Sequence, residues 1–139
     1  MDQFPSAQHL ASWAGLCPGN NESAGKRLSG KARNGSVWLR RNLCQAAWAA
    51  SHSKNTYLSA QFRRLAARKG KKRAIVAVGH TILVIVFHML KNQQPYRDLG
   101  PDYFDRRNAD QLKRSLVRRL ERLGVQVSIV SAAPARQPD

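Results

Sequence analysis

A mostly α-helical small domain is the fold class this chain predicts, broken by a basic polar loop over residues 17–36, with room for one strand near the C-terminus. Three observations lead there. Apolar residues recur at helical spacing, as in Leu39, Leu43, Ala46, Ala47 and Ala50, and again in Leu58, Phe62, Leu65 and Ala66. The longest apolar run, residues 74–90, suits a central buried helix. Strand-like alternation is confined to Val125, Val127 and Ile129.

Each element has its own signals. Ser6 is an N-cap for a short helix through His9, Leu10, Trp13 and Ala14, which Gly15 can close. Residues 17–36 are rich in Gly, Asn, Ser and Lys and cannot build a core. Ser36 caps the next helix, and Asn55 or Thr56 begins a third. That third helix carries Arg63, Arg64, Arg68 and Lys69 on its outer side and runs into Gly70, Lys71, Lys72 and Arg73, the densest basic cluster of the chain. Residues 95–104 form an irregular connector broken by Pro and Gly. Asn108 and Gln111 have the spacing of a capping box, before an amphipathic helix of Leu112, Leu116, Leu120 and Leu123 that Gly124 closes. A strand beyond it lacks a partner in this chain, so it must pair elsewhere, lie against a partner or stay unpaired. The domain expectation is residues 1–105 as the main unit, with 106–139 holding the basic helix, the short strand and a small, Pro-containing tail.

The 139 residues suffice for one domain with a core. Lys and Arg number 24 against 8 Asp and Glu, a formal charge of +16. Such a field attracts polyanions, with DNA or RNA as the commonest partners. Cys17 and Cys44 lie far apart with no ligand-spaced neighbours, so reduced thiols are expected and a metal site is not. The N-terminus lacks a signal-peptide pattern. Residues 74–90 are short for a membrane span and contain His80 and His88, so no membrane association is expected.

The loop offers chemistry of one kind. Asp98, Asp102 and Asp105 share the connector but read as caps and turn formers rather than a metal-binding cluster. A Ser-His-Asp arrangement is formally available from Ser23 with His9 or His80 and an Asp. A serine attacking a phosphodiester needs nearby cations to neutralise the non-bridging oxygens and the developing charge. Ser23, Lys26, Arg27, Lys31, Arg33, Arg40 and Arg41 supply those types within a short stretch. Arg40 and Arg41 occupy the first turns of a helix, where positive charge opposes the helix dipole, so they do not serve helix stability there. What the stretch lacks is an activator for the hydroxyl.

At these residues the chain resembles the C-terminal domain of the IS116/IS110/IS902 family of transposases. The resemblance runs in order over residues 4–99: Phe4-Pro5, then residues 9–27 with Gly15-Leu16-Cys17-Pro18 and Ser23, then Gly35, Trp38-Leu39-Arg40-Arg41 and Gln45-Ala46-Ala47-Trp48. Residues 71–78, the Tyr96-Arg97-Asp98-Leu99-Gly100 stretch and Tyr103-Phe104 continue it.

The resemblance implies a DNA recombinase that excises and inserts a mobile element. In that family an N-terminal resolvase-like domain binds divalent metal (Mg) through four acids, and the C-terminal domain supplies a serine that attacks DNA. By position that serine matches Ser23, with Ser29 and Ser36 as fallbacks. Lys26, Arg27, Lys31, Arg33, Arg40, Arg41, Arg63, Arg64, Lys71, Lys72 and Arg73 are the expected DNA contacts. Some members work with an element-encoded guide RNA, so RNA is an implied partner beside DNA. Self-association or assembly with a full-length transposase is implied too, as is a bacterial cytoplasmic, nucleoid-associated setting. The acid domain has no counterpart here, so the chain reads as a C-terminal fragment, with no cofactor of its own. It is expected to be inactive alone, or to act as a nucleic-acid-binding remnant.

Overall fold

Ser6 ends the extended N-terminal segment by accepting the His9 N–H on its side chain at 3.4 Å, which opens α1 (Ala7–Trp13). The helix stops at Gly15, whose φ of 70° is left-handed. There the Gly15 N–H reaches the Ser12 carbonyl and the Leu16 N–H reaches the Ala11 carbonyl, each at 3.0 Å. This double bond pattern satisfies the last carbonyls and turns Leu16 back into the core. The computed structural model describes residues 3–17, 21–30 and 34–130, except for the side chains of Asn21, Arg27 and Leu28. The chain divides into two compact units, Met1–Phe104 and Asp105–Asp139.

The polar loop is not irregular throughout. Residues Asn21–Ser23 (β1) and Lys26–Ser29 (β2) form an antiparallel hairpin with an irregularity between Asn21 and Glu22. Ser23 pairs with Lys26 across a two-residue turn, Ala24-Gly25, with φ of 48° and 74°. Two positive φ values in succession match the right-handed twist of a tight hairpin.

Beyond the hairpin, Ser36 caps α2 (Val37–His52) by accepting the Leu39 N–H at 3.3 Å. Thr56 caps α3 (Tyr57–Lys69) through the Ser59 N–H, also at 3.3 Å. Gly70, with φ of 82°, lies between α3 and α4 (Lys71–Asn92). The 22-residue α4 is the centre of the first unit and contacts α1, α2 and α3. By length and composition it is the one helix among the described residues that could cross a membrane. Ala74, Val78, Gly79, Leu83 and Phe87 are its buried residues. At Gly79 a Cβ would stand 3.3 Å from the Leu43 carbonyl oxygen, so α2 and α4 cross closely there. Leu43, Leu83 and Phe87 join Ala7, Leu10, Ala11, Ala14 and Leu16 in the core.

The connector docks on α3. Asp98 accepts the Tyr57 N–H at 3.1 Å and the Gly100 N–H at 2.7 Å. Tyr57 stacks on Phe104 with ring centroids 5.2 Å apart and meets Tyr103 edge-on, also at 5.2 Å. A short helix, α5 (Tyr103–Arg107), starts at this cluster.

In the second unit, α6 (Ala109–Arg122) begins at Asn108, but the side-chain bond expected of a capping box does not form. Its end follows the pattern of α1: Gly124 has φ of 82°, and the Val125 N–H bonds the Leu120 carbonyl at 3.2 Å. Leu116 and Leu123 are 51% and 75% exposed, so the apolar stripe of α6 is open to solvent. Residues 125–130 form no paired strand. Alternation alone is not enough there, because a strand needs a neighbouring edge to take its N–H and C=O groups.

Candidate functional site

Gly35 sets the geometry of the hairpin. A Cβ on Gly35 would lie 2.7 Å from Gly15 Cα and nearer still to the Gly15 nitrogen and the Ala14 carbonyl carbon. All three are backbone atoms, so the chain entering α2 crosses the end of α1 at a distance only glycine permits. In sequence the crossing pairs a residue before β1 with one after β2.

Ser23 is the last residue of β1 and is exposed beside the turn, facing Lys26 across the ladder. Among the described residues, no histidine or acid bonds its hydroxyl. His9 is engaged elsewhere: its Nδ1 lies 2.8 Å from the Ser6 hydroxyl. Ser29 lies on β2 opposite Asn21, and Ser36 is occupied in capping α2.

The expected contact residues separate into groups. Lys26 is exposed on β2, and Arg27 pairs through its backbone with Glu22. Lys31 and Arg33 lie outside the described residues. Arg40 and Arg41 follow the returning root of the hairpin, in the first turns of α2. Arg41 packs over the ring of Trp38 at 5.7 Å, and that ring is 74% exposed. Arg64 instead lies over Phe104 at 5.2 Å, in the aromatic cluster, while Arg63 is exposed on α3.

Lys72 and Arg73 have a different setting. With Lys69 they line a cleft of about 650 Å³, whose wall includes Leu16 and Gly30, the residues flanking the hairpin. The basic cluster between α3 and α4 therefore meets the foot of the hairpin that carries Ser23. With about 3.4 Å of rise per strand residue, the tip stands roughly 10 Å from that foot. Lys71, Lys72 and Arg73 fill the first turn of α4, and no side chain caps it. Cations at this positive end oppose the dipole, so an anion there would relieve both.

Gln61, Val76, Ala77, His80 and Thr81 complete the lining of the cleft. Burial pushes the His80 imidazole below its ordinary value, which favours the neutral ring. Gln61 donates from Nε2 to the Thr81 hydroxyl at 2.9 Å, and that hydroxyl donates to the Ala77 carbonyl at 3.2 Å. Sequence reasoning did not place Gln61, Lys69, His80 and Thr81 together, because they meet only when α3 packs back along α4, which no local pattern encodes.

Among the described residues no three His, Cys, Asp or Glu side chains converge to hold a metal ion. Asp98 is committed to Tyr57 and Gly100, as a turn-forming acid of the connector. Cys17 and Cys44 are both free, and burial raises the Cys44 thiol against the opposing influence of Arg40.

Comparison with known families matches the part of the chain that carries the hairpin. Residues 1–63 match the model of the transposase IS116/IS110/IS902 family. The family resemblance is thereby shown over α1, the hairpin, α2 and the first half of α3. No curated protein and no solved structure matches the chain.

Proposed function

We propose that this chain is the serine-bearing, DNA-binding domain of an insertion-sequence transposase, and that Ser23 is its nucleophile. The observation that carries the reading is the presentation of Ser23 on a hairpin inside the family-matched segment, next to a cleft lined by Gly30, Lys69, Lys72 and Arg73. In the proposed step the Ser23 Oγ attacks a DNA phosphorus. An Oγ–P bond forms, the bond to the deoxyribose oxygen breaks, and that oxygen leaves as a hydroxyl after taking a proton. Lys26, Arg40 and Arg41 on one side and Lys71, Lys72 and Arg73 on the other neutralise the phosphates of the bound strand. Arg63 adds to the same field, while Arg64 is held at Phe104. The exposed Trp38 ring beside Arg41 offers a stacking face for an unpaired base.

The described residues around Ser23 contain no base that would take its proton. The reading therefore assigns activation, and any Mg chemistry, to an acid-bearing resolvase-like domain outside the described residues, with a guide RNA and further copies of the protein as partners. It places the protein on bacterial DNA rather than in a membrane. The same observation favours a second reading, a binding module that coats DNA or modulates an intact transposase without chemistry of its own.

One experiment separates the two. The chain is mixed with the acid-bearing domain of a family transposase and a nicked DNA substrate, and covalent protein–DNA adducts are resolved on a denaturing gel. An adduct that Ser23→Ala abolishes supports the nucleophile. Salt-sensitive binding with no adduct supports the module, and strand transfer at full rate with Ser23→Ala overturns the assignment.

A further inference from the structure

The cleft between the end of α3 and the start of α4 carries more than cations. Lys69, Lys72 and Arg73 give it anion-binding capacity, while Val76 and Ala77 give it an apolar wall. Its polar pair is directional. Thr81 has one hydroxyl proton, which goes to the Ala77 carbonyl, so Thr81 can only accept from Gln61, and the Gln61 amide must present Nε2 to it. This leaves Gln61 Oε1 as the unused acceptor, buried and with no partner among the described residues. A buried acceptor left unmade is destabilising, and a ligand that donates a hydrogen bond there removes that cost. His80, kept neutral by burial, adds a flat ring to the same wall without adding charge.

We propose that this cleft takes one unstacked nucleotide of a single-stranded DNA segment, with its phosphate against Lys69, Lys72 and Arg73 and a base N–H donating to Gln61 Oε1. The ligand must combine an anion, a flat apolar body and a donor on the edge of that body. A nucleotide has all three, and a volume of about 650 Å³ admits one with room for its neighbours' backbone. A paired base cannot enter, because its donors are used and its faces are stacked, so the cleft discriminates single-stranded from duplex DNA. The inference rests on the DNA-binding reading above and adds a strand preference and a named base-edge contact.

The test uses the full chain and three probes: a mixed-sequence single-stranded DNA oligonucleotide, the same strand annealed to its complement, and an RNA of the same sequence. Affinities are measured by fluorescence anisotropy for wild type and Gln61→Met. The His80 ring proton is followed by NMR during titration. The variant removes the unpaired acceptor together with the Nε2–H bond to Thr81, so thermal melting is recorded beside the affinities to show that Gln61→Met is folded. Single-stranded DNA is expected to bind Gln61→Met about tenfold more weakly, with duplex affinity unchanged, and to shift the His80 resonance where duplex does not. The opposite result is equal single-strand affinity for both proteins with a silent His80, while duplex still binds; it overturns the cleft assignment and leaves DNA binding standing. Should RNA alone show the Gln61 dependence, DNA as the occupant is overturned. Should none of the probes bind at low salt, the cleft assignment falls together with the DNA-binding reading.

Discussion

Gly35 crosses Gly15 in direct backbone contact, with 2.7 Å between Gly15 Cα and the position a Gly35 Cβ would take. Gly25 presents the complementary case, since a Cβ there would meet nothing within 4 Å and only its φ of 74° resists substitution. Gly35→Ala must therefore push α1 and α2 apart, at about 2–3 kcal/mol, while Gly25→Ala costs about 1 kcal/mol of backbone strain. Thermal melting checks the order: Gly35→Ala is expected to lose roughly 10 °C or more, and Gly25→Ala roughly half of that. Equal losses would mean that the crossing does not anchor the hairpin.

The Asp98 carboxylate joins the connector to α3 through the Tyr57 N–H at 3.1 Å and also accepts the Tyr96 hydroxyl at 3.0 Å. Burial pushes the Asp98 carboxyl up, but donation from Gly100, Tyr57 and Tyr96 outweighs it and holds the group below the usual carboxylate range. Burial first, then the bond to Asp98, pushes the Tyr96 phenol up to about 12. Asp98→Asn removes the charge from the N-terminus of α3 and is expected to cost about 1 kcal/mol. It also brings the Tyr96 phenol back toward 10, leaving the parts due to burial and to Tyr57. Ultraviolet titration of tyrosine ionisation reads that shift, and an unchanged curve would refute the pairing.

Helix starts were legible because capping is local chemistry: Ser6, Ser36 and Thr56 each bond an N–H three residues on, as their positions before apolar periodic stretches implied. The helical fold class followed from the same periodicity. The hairpin was not legible. Its strands are three and four residues long and largely polar, and Ala24-Gly25 is not one of the strong turn pairs. Residues 125–129 show the converse, alternation without an edge to pair with. Charge density pointed to Lys72 and Arg73, but their meeting with Gly30, Gln61 and His80 depends on how α3 and α4 fold together, which no local pattern encodes. Ser23 stood out from other loop serines only through the family resemblance.

His80 makes stability depend on pH in a defined direction. Its folded value lies below the ordinary 6.5, so between the two values the unfolded chain binds more protons than the folded one. Stability therefore rises with pH through that window and is lost as the solution is acidified below about 6.5. Urea unfolding at pH 7.5 and 5.5 is expected to show a drop in wild type that His80→Gln reduces. An identical drop in the variant would assign the acid sensitivity to other groups.

Ala24 occupies the left-handed region at φ 48°, where a Cβ costs about 1 kcal/mol, while asparagine tolerates that conformation and forms the favoured turn pair with a following glycine. Ala24→Asn is thus expected to stabilise the hairpin by about 0.5–1 kcal/mol without touching the core. Amide exchange across β1 and β2 should slow by roughly two- to fivefold, with the α2 and α4 amides unchanged. The same variant bears on the proposed chemistry, because the turn lies between Ser23 and Lys26. If the nucleophile works from an ordered hairpin, the yield of Ser23 adduct with the acid-bearing partner should hold or rise. A variant with a firmer hairpin and no adduct would instead show that Ser23 must leave the ladder to reach the phosphorus.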